Sequence, residues 1–237
     1  SLQLLGGNVT LDNSTSNNVG TLAASGVSGL TYLDKAGLTI GTVGSTQGVS
    51  ATGVVNIGTQ LGSLNIAQKV VTTNASSTAL TLNASMGSAI GADTGSNLLV
   101  SGTPTISVGS GGLARLFTGG ITGSSDLASL SGLGAGSGHF RYNADESTVF
   151  SSPSWAPLSA GLNVIYREQP TASVTVASNS MTYGDVLPTL TGTVTGAVNG
   201  DSPSYAVVSR LNSTSGNVQV GSYTLTGNGL AALGYNV

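Results

Sequence analysis

The sequence predicts an all-β protein. A parallel β-helix is expected over residues 1–112, a β-rich capping extension over residues 113–168, and a small separate β-domain over residues 169–237. Three observations carry this. With 36 glycines and abundant Ser, Thr, Asn and Val, the chain has almost no run of good helix formers. A short motif, apolar–Thr/Asn–apolar, recurs along the first eighty residues. Charged residues make up 6% of the chain, where roughly 25% is usual in a soluble domain.

Short strands are expected at 9–11, 19–22, 30–33, 38–43, 54–57, 64–71, 79–82, 98–100 and 105–108. Each is bounded by Gly, Ser or Asn, the residues that favour turns. The motif occurs as Val9-Thr10-Leu11, Leu30-Thr31-Tyr32, Leu38-Thr39-Ile40, Val55-Asn56-Ile57, Leu64-Asn65-Ile66 and Leu80-Thr81-Leu82. Its spacing is irregular, so several motifs share one repeat. Loose periods of about 20 residues with three short strands each fit a parallel β-helix, whose coils stack about 4.8 Å apart. Val, Leu and Ile then point inward and Thr outward. Asn8, Asn56, Asn65 and Asn83 are expected to stack at the corners as amide ladders. The rarity of charge has a physical reason in such a stack, because like charges on adjacent strands repel. The same short strands joined as hairpins would instead make an antiparallel sandwich or jelly roll, and the residues alone leave that alternative open.

Composition shifts near residue 113. Residues 113–168 hold the only Trp (Trp155), the only His (His139), all three Phe (Phe117, Phe140, Phe150) and three of the six basic residues. A solenoid needs an end that covers its last core layer and unpaired edge, so this segment reads as the cap. Exposed aromatic rings stack on sugars, which makes Trp155, Phe140 and Tyr142 candidate surface-recognition residues. The competing reading is that these rings close the end of the core. YREQPTA (166–172) reads as a linker. Beyond it, ASVTVASNSMTYGDVLPTLTGTVTG, SYAVVSRLN and VQVGSYTLTGNG alternate apolar and polar residues, as half-buried antiparallel strands do.

Two stretches resemble known families. NNVGTLAAS (17–25), GLTIGTV (37–43), GVSATGVVNI (48–57) and GSLNIAQ (62–68) resemble the repeats of filamentous-haemagglutinin-like exoproteins, and ARLFTGGITG (114–123), FRYNADES (140–147) and IYREQP (165–170) resemble the segment that follows them. The resemblance implies a long extracellular right-handed parallel β-helix, secreted by a Gram-negative bacterium through a partner outer-membrane transporter. The Asn-Pro-Asn-Gly motif of that family's secretion domain does not occur here. The second stretch is SVTVASNSMTYGDVLPTLTGTVTG (173–196) with VGSYTLTGNG (220–229) and GYNV (234–237). It is similar to MBG-type repeat domains of large bacterial surface adhesins, through Thr182–Asp185, Pro188, Gly221–Tyr223 and Tyr235–Asn236. Members of that family continue into one more strand, so the chain is expected to be a piece of a longer protein.

The side chains carry little chemistry. His139 is the sole His and no G-x-S-x-G elbow occurs, so no nucleophile triad is expected. Cys is absent, which removes disulfides and thiolate metal sites. No D-x-D-x-D-G loop occurs, and the acidic pair Asp145-Glu146 reads as a solvated loop. Glycoside hydrolysis needs two carboxylates roughly 5–9.5 Å apart; residues 1–112 offer only Asp12, Asp34 and Asp93, and Asp34 beside Lys35 reads as a turn. GLGAGSG (132–138) lacks the Lys-Ser/Thr ending of a phosphate loop. Tyr183, Gly184 and Asp185 read as a turn started by a packed Tyr. Sequons at Asn8, Asn13, Asn74, Asn83 and Asn212 are expected from composition alone.

No catalytic residue, cofactor or metal is therefore expected. Six scattered basic residues and a pI near 4.7 give no footprint for nucleic acid. There is no run of about 18 apolar residues for a membrane helix. Without an initial Met or a basic leader, the chain reads as a mature product or a fragment. The expected role is a secreted or cell-surface adhesin or fibre segment, a stiff stalk for modular domains with a part in adhesion and biofilm. Its partners would be the transporter, host glycans or surface polymers, and further copies of itself in fibres. A glycan- or host-surface-binding module is the alternative, and a polysaccharide-degrading β-helix enzyme the weakest reading.

Overall fold

The computed structural model describes residues 1–91, 96–124, 127, 130, 133–136, 138–149, 157–208 and 212–237. The chain passes repeatedly around one apolar core. The first pass supplies β1 (Leu2–Leu5) and β2 (Asn8–Leu11), the second β3 (Thr21–Val27) and β4 (Gly29–Asp34). The third supplies β5 (Leu38–Ile40), a small hairpin of β6 (Thr42–Val43) and β7 (Thr46–Gln47), then β8 (Val49–Ala51) and β9 (Val55–Thr59). The fourth supplies β10 (Leu64–Ile66), β11 (Val70–Thr72) and β12 (Leu80–Asn83), the fifth β13 (Leu98–Val100), β14 (Ile106–Ser107) and β15 (Leu113–Thr118). Two more strands follow, β16 (Phe140–Arg141) and β17 (Gly161–Tyr166).

Strands of successive passes pair in parallel, in register, in three stacks. One runs β5-β10-β13 and a second β8-β11-β14. The long β3 joins them, because its start pairs with β5 and its end with β8. The third runs β2-β4-β9-β12-β15-β17, with β16 beside β17. The chain is thus all-β with parallel sheets, and the hairpin-joined alternative is set aside for the described part of residues 1–118 apart from β6 and β7. The shift of composition at residue 113 does not interrupt the stack, since β15 lies on β12 and β17 on β15.

Register explains the recurring motif. Val9, Leu30, Val55, Leu80, Ala114 and Leu162 form one inward column, and Leu11, Tyr32, Ile57, Leu82, Leu116 and Val164 another. Leu38, Leu64 and Leu98 form a third, on a different side of the core. The motifs that begin at Leu30 and at Leu38 therefore belong to separate stacks, which is why the spacing is irregular along the chain. From the second pass on, the residues of these columns are buried. Between them the Thr or Asn faces outward and is partly exposed.

The expected asparagine ladders do not form. Asn8 faces Gly29, Asn56 lies between Thr31 and Thr81, Asn65 between Thr39 and Leu99, and Asn83 between Gly58 and Phe117. In-register stacking sets each residue over its positional equivalent, and these four occupy different positions. At one corner glycine is required for space: a Cβ on Gly53 would lie 1.9 Å from the Ser28 carbonyl oxygen.

Asp34 is no exposed turn residue. Its buried carboxylate accepts hydrogen bonds from Val19 N (2.8 Å), Ala36 N (2.9 Å) and the Tyr32 hydroxyl (2.7 Å), which satisfy a charge that would be costly to bury alone. Burial, and then the adjacent carboxylate, push the Tyr32 phenol well above its ordinary range.

The core closes with Leu127, Leu130 and Leu133, and then with Phe140 and Tyr142. A satellite cluster of Phe117, Ala144, Val149 and Ile165 lies on the outer side of β15 and β17. Residues 172–237 fold as two antiparallel pairs, β18 (Ser173–Val176) with β19 (Gly192–Thr195) and β20 (Ser204–Val207) with β21 (Leu225–Asn228), plus a 3-10 turn over Ala231–Leu233.

Candidate recognition surface

Two of the three aromatic residues expected at the surface are fully buried. Phe140 sits in β16 opposite Val164 and is 0% exposed. Tyr142 is also 0% exposed. Their rings complete the end of the apolar core, so the expectation that they offer exposed stacking faces is corrected. Trp155 lies outside the described residues, as does Asp93.

Tyr142 is the centre of a joint. Its ring stacks on Tyr166 (5.4 Å between centroids, 13° between planes) and meets the edge of Tyr235 (4.7 Å, 66°). Its hydroxyl donates to Asp201 at 2.7 Å, and the Tyr235 hydroxyl donates to the same carboxylate at 2.9 Å. Asn199 Nδ2 donates to the Tyr142 hydroxyl at 2.9 Å. Burial, and then Asp201, push the Tyr142 phenol far up; burial also raises Tyr166 and Tyr235, each to about 12. Main-chain bonds flank this cluster, from Tyr142 N to Leu233 O (2.8 Å) and from Gly136 N to Asn199 O (2.8 Å).

The segment expected as a linker is part of the joint. Tyr166 ends β17, and Arg167 is fully buried, with Nη1 donating to Ala84 O (2.9 Å) and Nη2 to Asn83 Oδ1 (2.7 Å). Ala172 N donates to Asn236 O (2.9 Å) and Asn236 N to Pro170 O (3.0 Å). The β-domain is thus docked on the end of the stack rather than tethered to it. Sequence reasoning missed the joint because Asp201, Tyr142 and Tyr235 share no local motif.

The remaining candidates are engaged with neighbouring groups. His139 Nδ1 lies 2.5 Å from the Leu162 carbonyl oxygen. Asp145 closes its own turn. Burial alone would raise its pKa, but hydrogen bonds from Ser147 and Thr148 lower it below the usual carboxylate range. Glu146 is not freely solvated: it accepts from Gly87 N at 2.8 Å and lies 3.5 Å from Arg167 Nη2. Among the described residues no three His, Asp or Glu side chains are grouped to hold a metal ion.

Exposed apolar surface gathers instead on residues 172–237. The Thr182–Asp185 turn forms as expected, with Asp185 N bonded to Thr182 O (3.0 Å) and Thr182 N to Asp185 Oδ2 (3.0 Å). Its tyrosine is not packed, however: Tyr183 is 52% exposed, with its hydroxyl 3.2 Å from both Ser213 Oγ and Ser215 Oγ. It borders an open cleft of about 350 Å³ between the turn and the 218–223 segment. Tyr223 lines the opposite side and donates to Gln219 O at 2.8 Å. Val220, also on the cleft, is 88% exposed, and the nearby chain carries Val186 at 91%. The sequence signal was available: valines interrupt turn-rich stretches in GDVLP and NVQVGSY.

The molecule is therefore an all-β protein of stacked parallel strands with a distinct antiparallel β-domain at its C-terminal side. Residues 172–237 match the family model described as MBG domain (YGX type). MBG domains are repeat domains typical of extracellular or surface proteins. No curated protein and no solved structure matches the chain.

Proposed function

We propose that this chain is a segment of a large secreted, filamentous-haemagglutinin-like adhesin or surface fibre. In this reading residues 1–112 form a right-handed parallel β-helix, residues 113–168 extend and cap it, and the MBG domain follows from about residue 169. The handedness is the one that parallel crossovers adopt almost without exception. The observation that carries the reading is the unbroken inward column from Val9 to Leu162, rung upon rung in register. Each added rung extends both the apolar core and the main-chain hydrogen bonding by about 4.8 Å. Such an element provides length and stiffness, and it needs no reactive side chains to do so.

The docked joint supports the same reading, because a stalk that presents a module at a fixed angle needs contact between the two. We read the protein as a structural and adhesive component and not as an enzyme, exported through a partner outer-membrane transporter and able to associate into fibres. A glycan- or host-surface-binding role is the second reading, favoured by the exposed tyrosine cleft. Electron microscopy of the full protein tests the first. Elongated rods of constant width support it, and compact globular particles overturn it.

A further inference from the structure

The geometry points to the cleft between Tyr183 and Tyr223 as a binding site for a neutral saccharide. This deepens the surface-protein reading, on which it rests, and places recognition on the MBG domain rather than around Trp155. Three features define the ligand chemistry. First, among the described residues none of the side chains lining the cleft is charged. An anionic or cationic ligand would lose solvation there without gaining a counter-ion. Second, the lining mixes rings and aliphatic groups with the amides of Asn179 and Gln219 and the hydroxyl of Thr182. A wholly apolar ligand would strand those polar groups. A sugar ring matches both kinds of surface, with C–H faces for the tyrosines and hydroxyls at its edge for the amides. The cleft, at about 350 Å³, falls within the usual range of ligand pockets, roughly 300–1,000 Å³.

Third, the two rings are held in place. Exposed tyrosines ordinarily sample several rotamers, and ordering them on binding costs free energy. Here the Tyr183 hydroxyl is anchored at Ser213 and Ser215, and the Tyr223 hydroxyl at the Gln219 carbonyl. An aromatic surface fixed before the ligand arrives is what a binding site requires, and a 52% exposed ring contributes little to a core.

The test uses the full chain on an array of printed oligosaccharides. One set is neutral, built on glucose, galactose, mannose and N-acetylhexosamines, and the other is the sialylated and sulfated counterparts. The wild type is expected to retain a neutral structure over its charged counterpart. Tyr183→Ala should weaken that retention at least about tenfold, the effect of losing roughly 1.4 kcal/mol of contact. Val220→Glu, at a residue already in solvent, should do the same by placing a charge on the rim, and it decides the matter if Tyr183→Ala lowers the melting temperature. Trp155→Ala should leave retention unchanged. The assignment is overturned if no neutral saccharide is retained, if charged ones are preferred, if both cleft variants bind as the wild type does, or if Trp155→Ala abolishes binding. Rod-shaped particles without retention would sink this assignment and leave the stalk reading standing. Cleft-dependent retention by compact particles would do the reverse.

Discussion

The Tyr142 hydroxyl donates a 2.7 Å hydrogen bond to the Asp201 carboxylate across 59 positions of sequence. That bond ties the closing layer of the parallel stack to the C-terminal β-domain. Tyr142→Phe keeps the stacked ring but leaves the buried carboxylate with one tyrosine donor fewer. Stability should fall by about 1–3 kcal/mol, read by chemical denaturation. A double-mutant cycle with Asp201→Asn should show that the two losses are not additive. Additive losses would mean that the bond contributes nothing of its own.

The same cluster predicts a response to alkali. Tyr166 and Tyr235 have their pKa values raised from 10.0 to about 12 by burial. In the unfolded chain both ionise near pH 10, while in the folded protein they stay neutral to about pH 12. Above pH 10 the unfolded state therefore binds fewer protons than the folded one, and stability falls as pH rises. Their contribution should be intact below pH 10 and lost progressively towards about pH 12. Melting temperatures measured across that window should drop. A flat profile would place these phenols in water.

Gly234 and Gly229 separate conformational strain from steric conflict. Both have positive φ, 100° and 106°. A Cβ on Gly229 meets nothing within 4 Å, whereas one on Gly234 would lie 1.9 Å from the Tyr142 carbonyl oxygen. Gly229→Ala should cost about 1–2 kcal/mol, from the backbone alone. Gly234→Ala should cost clearly more and loosen the joint, visible as faster amide exchange at Tyr142 N and Gly136 N. Equal costs for the two would show that the close approach yields without effort.

The inward columns and the outward ladder should respond oppositely to substitution. Leu64, between Leu38 and Leu98, is wholly buried, so Leu64→Ala should cost about 2–5 kcal/mol. Thr31, Asn56 and Thr81 are adjacent rungs of an outward column. A single Thr31→Asp change there should stay within about 0.5 kcal/mol. Placing Asp at all three should destabilise by more than the sum, because like charges then face each other on paired strands. Added salt should restore part of that loss. An additive, salt-independent result would remove the physical reason offered for the scarcity of charge.

Much of the stacked part was legible in sequence. The six occurrences of the apolar–Thr/Asn–apolar motif all fall on strands, with the expected faces inward. Strand direction was not legible: the same short strands could have been joined as hairpins, and the parallel pairing of successive passes decides it. The candidate site was much less legible. Phe140 and Tyr142 were conspicuous because aromatic residues are rare in this chain, yet rarity says nothing about which side of a strand a ring faces. Asp34 and Glu146 looked like loop charges, and each is held by a donor distant in sequence, Val19 N and Gly87 N. The cleft depends on residues near 183 and near 220 meeting across a fold whose strands are short and weakly patterned.

The sequence by itself determined the class of secondary structure, the identity of the inward residues and the scarcity of reactive groups. Those follow from properties carried by single residues and their immediate neighbours: backbone preference, apolarity and charge. Only the tertiary structure decided which motifs share a stack, that the four asparagines do not align, and that Tyr142, Tyr166, Tyr235 and Asp201 bind the two parts together. These depend on register and on pairings between distant positions. A parallel stack has many near-equivalent registers in sequence, and the mutual fit of its buried columns selects one.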